Sequence, residues 1–237
     1  MTSLKSPSEL TVPVSTGAAT TALVYRATAG AGAALILGHG AGAGQRSTFM
    51  VDFARALAAL GIDCITFNFL YTEQGRRIPD RAPALEVCYR AVIDRVRAEV
   101  ESAHRSLFIG GKSMGGRIGS QVAAADPALA LGGLVFLGYP LHPPGKPMER
   151  RDKHLPAIGR PMLFVQGTRD AFGTPNELAP ILAPLEPAPI IHTVAGGDHS
   201  FKLSRRDPAA QAAVYAEVQH AIVDFIDRVW RLTSSTP

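Results

Sequence analysis

The chain has 237 residues, 46% of them hydrophobic and 19% charged, with a formal net charge of +4 at pH 7. That length suits one α/β domain with a sizeable core, and the composition excludes a disordered chain. No apolar run reaches the roughly 20 residues that span a bilayer, and the positive charge is dispersed instead of gathered into the basic stripe of a nucleic-acid binder.

The start, "MTSLKSPSEL", is polar and lacks the apolar stretch of a secretory signal. Cys64 and Cys88 are the two cysteines, one in a strand-like run and one in a helix-like run, so no disulfide framework is expected. Together these features lead to the expectation of a cytoplasmic protein.

"LTVPV" and "TALVYRA" read as an opening hairpin. "AALILG" (33–38) is a short continuous apolar run, as expected for a strand covered on both faces. A helical pattern follows over 49–60, then strand "DCITFNF" (63–69), a helix over about 84–101, strand "SLFIG" (106–110) and a helix over about 116–125. Strands "GLVFLG" (133–138) and "MLFVQG" (162–167) come next. In "TPNELAPILAPL" Thr174 can cap, Pro175 suits the first helical position and Glu177 completes a capping box. Strand "IIHTV" (190–194) follows. The last helix has Asp207 as cap and Pro208 next, with Val214, Val218, Ile222, Phe225 and Val229 on one face. This alternation predicts an α/β fold with a mostly parallel central sheet and helices on both faces. No repeat or low-complexity linker interrupts it, so one domain is expected over residues 1–237.

Ligands in such sheets sit at the carboxyl ends of the strands. Four post-strand segments hold chemistry: "HGAGAG" from His39, "GKSMG" around Ser113, "TRD" ending at Asp170, and "AGGDHS" containing His199. Gly111-Lys112-Ser113-Met114-Gly115 fits G-x-S-x-G, in which a serine occupies a sharp strand-to-helix turn and glycines two positions either side avoid collision. A serine hydroxyl needs a base, and the base needs an orienting acid. The order Ser113, Asp170, His199 is the one this architecture requires. The oxyanion of a tetrahedral intermediate then needs two donors, expected to be the backbone N–H groups of Met114 and Ala41. Asp198 competes with Asp170, but its neighbour position turns it away from the far nitrogen of His199. His39 is expected to hold the oxyanion loop. His104, His154, His192 and His220 read as surface or packing residues.

The sequence resembles an α/β-hydrolase, in particular the lidless group related to dienelactone hydrolases and the KANL3/Tex30-type hydrolase-like domain. The matching stretches are "LGHGAGAG", "FNFLY", "GGKSMGGR", "GYPLHPPGKP", "QGTRDAFG" and "GGDHSF", from about residue 33 to 203. Dienelactone hydrolases use a cysteine nucleophile where this chain has Ser113, so lactone-ring chemistry is not carried over. The resemblance implies a serine hydrolase acting on an ester or thioester. Some relatives serve in larger assemblies, which keeps a non-catalytic interaction module as the alternative. A peptidase is disfavoured because there is no room for a domain that selects peptide ends.

No cofactor is expected. His39, His142 and His199 lack the spacing of metal ligands, and "GHGAGAG" lacks the ordered G-x-G-x-x-G and downstream acid of a dinucleotide loop. The candidate substrate contacts are Lys112, Tyr139, His142 and Phe172. Lys112 reads equally as packing over the sheet top, and His142 also as packing within its loop. Residues 139–161 are too short for a cap domain, and Pro140, Pro143, Pro144 and Pro147 oppose helix there, so an open site with a small flap is expected. Lys146, Arg150, Arg151, Lys153 and Arg160 on that flap, with Arg76, Arg77 and Arg81 on another loop, suggest an electropositive rim and an anionic substrate, or simply solvated loop charges. Neither a membrane nor a nucleic acid is an expected partner.

Overall fold

The computed structural model describes residues 6–28, 31–204 and 207–234. Residues 1–5, part of the opening read as lacking a leader, lie outside the described residues, as do the ends of the predicted 1–237 domain. One eight-stranded sheet runs β1-β2-β4-β3-β5-β6-β7-β8. The hairpin β1 (Ser8–Ser15) and β2 (Ala18–Tyr25) is antiparallel, and β2 pairs antiparallel with β4 (Asp63–Phe67). β3 (Ala34–Gly38), β5 (Leu107–Lys112), β6 (Gly133–Leu137), β7 (Met162–Gly167) and β8 (Ile190–Val194) continue the sheet in parallel with β4. Pro13 lies in β1, an edge strand, where a missing N–H is tolerated.

Every residue of β3, β4, β5, β6 and β7 is buried, because helices cover both faces. Alternate side chains divide between two cores. Ile36, Ile109, Phe136 and Phe164 pack under α3 (Ala82–Glu99) and α5 (Met114–Ala125). Leu35, Phe108, Val135 and Val165 pack under α1 (Thr48–Ala59) and α7 (Pro208–Ser234). The predicted stripe on α7 supplies Val218, Ile222, Phe225 and Val229 to that second core, with Val214 packed at its edge. Asp207 caps the helix by accepting from the N–H groups of Ala209 and Ala210. The capping box at α6 (Pro175–Leu182) is present, with Thr174 and Glu177 exchanging both bonds.

Several limits shift by one or two residues from the sequence reading, and three differences are larger. β5 runs to Lys112 and α5 starts at Met114, so the turn is confined to Ser113. The single helix predicted over 84–101 is two, α3 and the short α4 (Glu101–Arg105), separated by Val100 in an extended conformation. A four-residue α2 (Leu70–Glu73) follows β4 where no helix was read.

Between β6 and β7 the chain has no cap domain. Residues 139–161 form a loop with one 3-10 turn at Leu155–Ala157. The loop is tied down at three points. Tyr139 Oη donates to the carbonyl of Arg151 (2.7 Å), His154 Nε2 meets Ser120 Oγ on α5 (2.7 Å), and the N–H of His142 donates to the carbonyl of Phe172 (3.1 Å). Burial pushes the His154 imidazole down to about 4, so it sits neutral in this anchor.

Candidate active site

The turn between β5 and α5 is built by close approach of backbones. A Cβ on Gly111 would lie 2.2 Å from the carbonyl oxygen of Gly38 on β3, and one on Gly115 would lie 2.1 Å from the same atom. No side chain fits at either position. Ser113 sits between them at φ 50° and ψ −114°, a left-handed conformation that costs a non-glycine residue roughly 1–3 kcal/mol. Its N–H donates to the carbonyl of Leu137 on β6 (3.0 Å), which holds the turn in place.

Asp170 follows β7 and is 2% exposed. Its Oδ1 accepts from the N–H of Phe172 (2.8 Å), and its Oδ2 accepts from Gln166 Nε2 (2.8 Å) and from His199 Nδ1 (2.8 Å). A carboxylate only accepts, so Nδ1 of His199 carries the proton. Nε2 is then the bare nitrogen, and it accepts from Ser113 Oγ at 2.8 Å. The three residues form one continuous chain of hydrogen bonds from a buried acid to a hydroxyl in the cleft. Asp198 takes no part: its Oδ1 accepts from the N–H groups of Ser200 and Lys202 and shapes the turn that carries His199. The ring of Phe172 lies against His199, with centroids 4.2 Å apart, and both line the cleft.

Met114 is the first residue of α5, so its N–H has no partner within the helix. Ala41 is placed by His39. Nε2 of the buried His39 accepts from the N–H of Phe69 (3.2 Å), and Nδ1 donates to the carbonyl of Gly40 (2.8 Å). One ring nitrogen accepting while the other donates is the pattern of a neutral imidazole, and burial lowers the His39 pKa in the direction that keeps it so. The Gly40 carbonyl also accepts from the N–H of Ala43. In a trans peptide the next N–H faces the opposite way, so fixing that carbonyl inward aims the N–H of Ala41 outward, on the residue that lines the cleft beside Ser113.

The cleft above Ser113 has a volume of about 600 Å³, within the size range of small-molecule sites. Two of the predicted substrate contacts do not reach it. Tyr139 is fully buried, its N–H bonded to Gln166 Oε1 and its hydroxyl to the flap. His142 is also buried, with Nδ1 against the carbonyl of Pro143 and Nε2 3.1 Å from Glu177 Oε1, so it joins the flap to α6. Both follow a strand's carboxyl end, but the flap folds over them. Lys112 lines the cleft but is largely buried, and its Nζ donates to the carbonyl of His199 (2.5 Å). Burial brings its ammonium down to about 8.

Two contributors escape the sequence reading. Gln166 is the hub under the site: its Nε2 lies within reach of Asp170 Oδ2, the carbonyl of Gly173 (2.6 Å) and the carbonyl of Tyr139 (3.3 Å). Its place one turn's length before Asp170, inside an otherwise apolar strand, was the available signal. Arg117, four residues after Ser113 and in the first turn of α5, lines the cleft, as α-helical periodicity allows. Arg151, one of the flap cations expected on an electropositive rim, lines it too, and what brings it there lies wholly in how the flap folds. Among the described residues, no group of three or more His, Cys, Asp or Glu side chains could hold a metal ion, and no helix is long and apolar enough to cross a membrane.

A mostly parallel eight-stranded sheet with a strained serine after β5, an acid after β7 and a histidine after β8 is the architecture of the α/β hydrolases. The chain belongs to that family: the alpha/beta hydrolase domain matches over residues 31–227. Solved structures share the fold. A lidless α/β serine hydrolase from Xanthomonas campestris is 21% identical, with a TM-score of 0.68 over 94% of this chain and 95% of that one. A dienelactone hydrolase from Anabaena variabilis is 18% identical, with a TM-score of 0.68 over 91% and 97%. Est1E from Butyrivibrio proteoclasticus, solved with ferulic acid bound, is 14% identical, with a TM-score of 0.69 over 90% and 99%.

Proposed function

We propose that this protein is a serine hydrolase that cleaves a small ester or thioester through an acyl-enzyme intermediate. The observation that carries this reading is the unbroken relay Ser113 Oγ–His199–Asp170, held at a strained turn on the floor of an open cleft. Ser113 Oγ attacks the carbonyl carbon while His199 Nε2 takes its proton. Asp170 stays ionised and holds the imidazolium. The N–H groups of Ala41 and Met114 receive the oxyanion, and losing one such donor typically costs about 3 kcal/mol of transition-state stabilisation. His199 then returns the proton to the leaving alcohol or thiol, and water releases the acyl group by the same route. No step calls for a cofactor.

The absence of a cap between β6 and β7 favours short or exposed acyl groups, and an ester class is in keeping with the ferulic acid bound to the structurally similar Est1E. We also read residues 1–237 as one hydrolase domain. A reducing, cytoplasmic setting fits two free cysteines that are both buried.

The test is reaction with a fluorophosphonate probe, read by intact mass. Wild type is expected to take one adduct and Ser113→Ala none. A well-folded wild type that takes no adduct would overturn the reading and leave the non-catalytic interaction module in its place.

A further inference from the structure

The walls of the cleft differ in charge. On the α1 side stand Phe49 and Met50, both apolar, with the Lys112 ammonium 6.0 Å from the Phe49 ring but committed to the carbonyl of His199. On the α3 and α5 side stand Leu85, Arg117 and Arg151. Among the described residues neither guanidinium has an ion-pair partner. Arg117 reaches only the amide oxygen of Gln121 (3.2 Å), and its N–H donates to the carbonyl of Ser113 one turn above (3.1 Å). Arg151 is held by its backbone, with its N–H on the carbonyl of Leu141 (2.8 Å) and its own carbonyl on Tyr139 Oη, which leaves the side chain to the cleft.

Nearby acids are committed elsewhere. Asp80, the one carboxylate lining the cleft among the described residues, is held by both terminal nitrogens of Arg76 (2.6 and 3.1 Å). Asp152, next to Arg151, pairs with Arg150, and Glu149 pairs with Lys146. Glu86 acts on Arg117 only at longer range. Burial and the charge of Arg151 both act against the Arg117 cation. Two guanidinium groups that repel each other in a partly desolvated wall are stabilised most by a ligand oxyanion that bonds to both.

We propose that Arg117 and Arg151 form an anion subsite, so that the substrate is an ester or thioester carrying a carboxylate or phosphate group away from the scissile carbonyl. The proposal rests on the hydrolase reading above and narrows it to one chemical class. It also narrows the cationic rim expected on the loops to Arg151, joined by Arg117 on the cleft wall. Arg76, Arg150 and Lys146 are neutralised by their neighbours, and Arg160 bonds to the carbonyls of Pro127 and Leu129, in a separate surface hollow beside Leu107 and Gly132 at the start of β5 and β6.

The experiment measures binding, so it stands whether or not Ser113 is reactive. Two matched pairs of amides are titrated into the wild-type protein by calorimetry. Succinanilic acid against butyranilide tests a carboxylate on the acyl side. N-butyryl-O-phosphoethanolamine against N-butyrylethanolamine tests a phosphate on the leaving-group side. In at least one pair the charged member is expected to bind about tenfold tighter, the scale of one charge-assisted contact. The pair that responds identifies which anion the subsite takes. Arg117→Gln and Arg151→Gln are each expected to bring that ratio close to one, and Lys146→Gln to leave it as in wild type. Arg151→Gln spares the backbone anchors of the flap, so it decides the matter if Arg117→Gln folds poorly. Equal binding within both pairs would overturn the subsite, and so would a ratio that survives Arg151→Gln or falls as much in Lys146→Gln. Anion-selective binding without fluorophosphonate labelling would keep the subsite and remove the catalytic reading. Labelling without selectivity would do the reverse.

Discussion

The turn at Ser113 and the flap over residues 139–161 meet in the same cleft but are held by different forces. The turn is fixed by backbone against backbone, with Gly111 and Gly115 pressed on the carbonyl of Gly38. The flap, beyond the backbone bonds of the His142 and Arg151 N–H groups, is fixed by side chains reaching backbone or helix: Tyr139 to Arg151, His154 to Ser120, His142 to Glu177. A backbone contact leaves no atom to trim, so the first region answers to geometry alone. A side-chain anchor can be shortened or exchanged one bond at a time, so the second can vary while the first cannot.

The sharpest way to break that contrast is Gly115→Ala. Its Cβ would fall on a carbonyl that cannot retreat without disturbing β3, so we expect a loss of about 3 kcal/mol or more, at the upper end of overpacking effects, in urea unfolding. A loss below about 1 kcal/mol would show that the turn is more pliant than its contacts imply.

Lys112 joins the two modes, since it belongs to β5 and holds the carbonyl of His199. Its folded-state pKa, about 8, lies below the ordinary 10.5, so folding disfavours its proton. That cost is present in full below about pH 8 and is relieved as pH rises toward 10.5. Wild type should therefore gain stability relative to Lys112→Met across this window, by at most about 1.4 kcal/mol per pH unit. Parallel urea midpoints for the two proteins at pH 7 and pH 9.5 would count against a buried ammonium.

The smallest effect is expected in the flap. Tyr139→Phe removes one buried hydrogen bond and should cost about 1 kcal/mol. It should also loosen the backbone of Arg151 and lower the preference for the anionic ligand in the titrations above. A cost like that of Gly115→Ala would erase the distinction between the two regions.

The same contrast governs what could be read in advance. β7 and β8 match their predicted limits residue for residue, because each is a short apolar run bounded by residues that break it. Ser113, Asp170 and His199 were legible because strand order alone brings their turns to one end of the sheet. The start of α5 was misread because Gly115 and Gly116 look like loop residues, whereas they are helical and are glycine for want of space. Tyr139 and His142 were misplaced, and Arg151 was not told apart from the other flap cations, because their directions are set by flap contacts that no periodicity encodes.

Ser113 and His199 are 86 residues apart in sequence, and the relay that joins them crosses from β5 past β6 and β7 to the turn after β8. Each of those parallel pairings closes a long loop before it returns any contact, which makes them slow steps relative to the local hairpin β1–β2. The hydroxyl, the imidazole and the carboxylate cannot meet until the last of these strands has docked. A partly folded chain would hold a serine no more reactive than any other. On the hydrolase reading proposed above, reactivity at Ser113 would be a timestamp on the end of folding, and a nascent or misfolded copy would stay chemically silent toward esters.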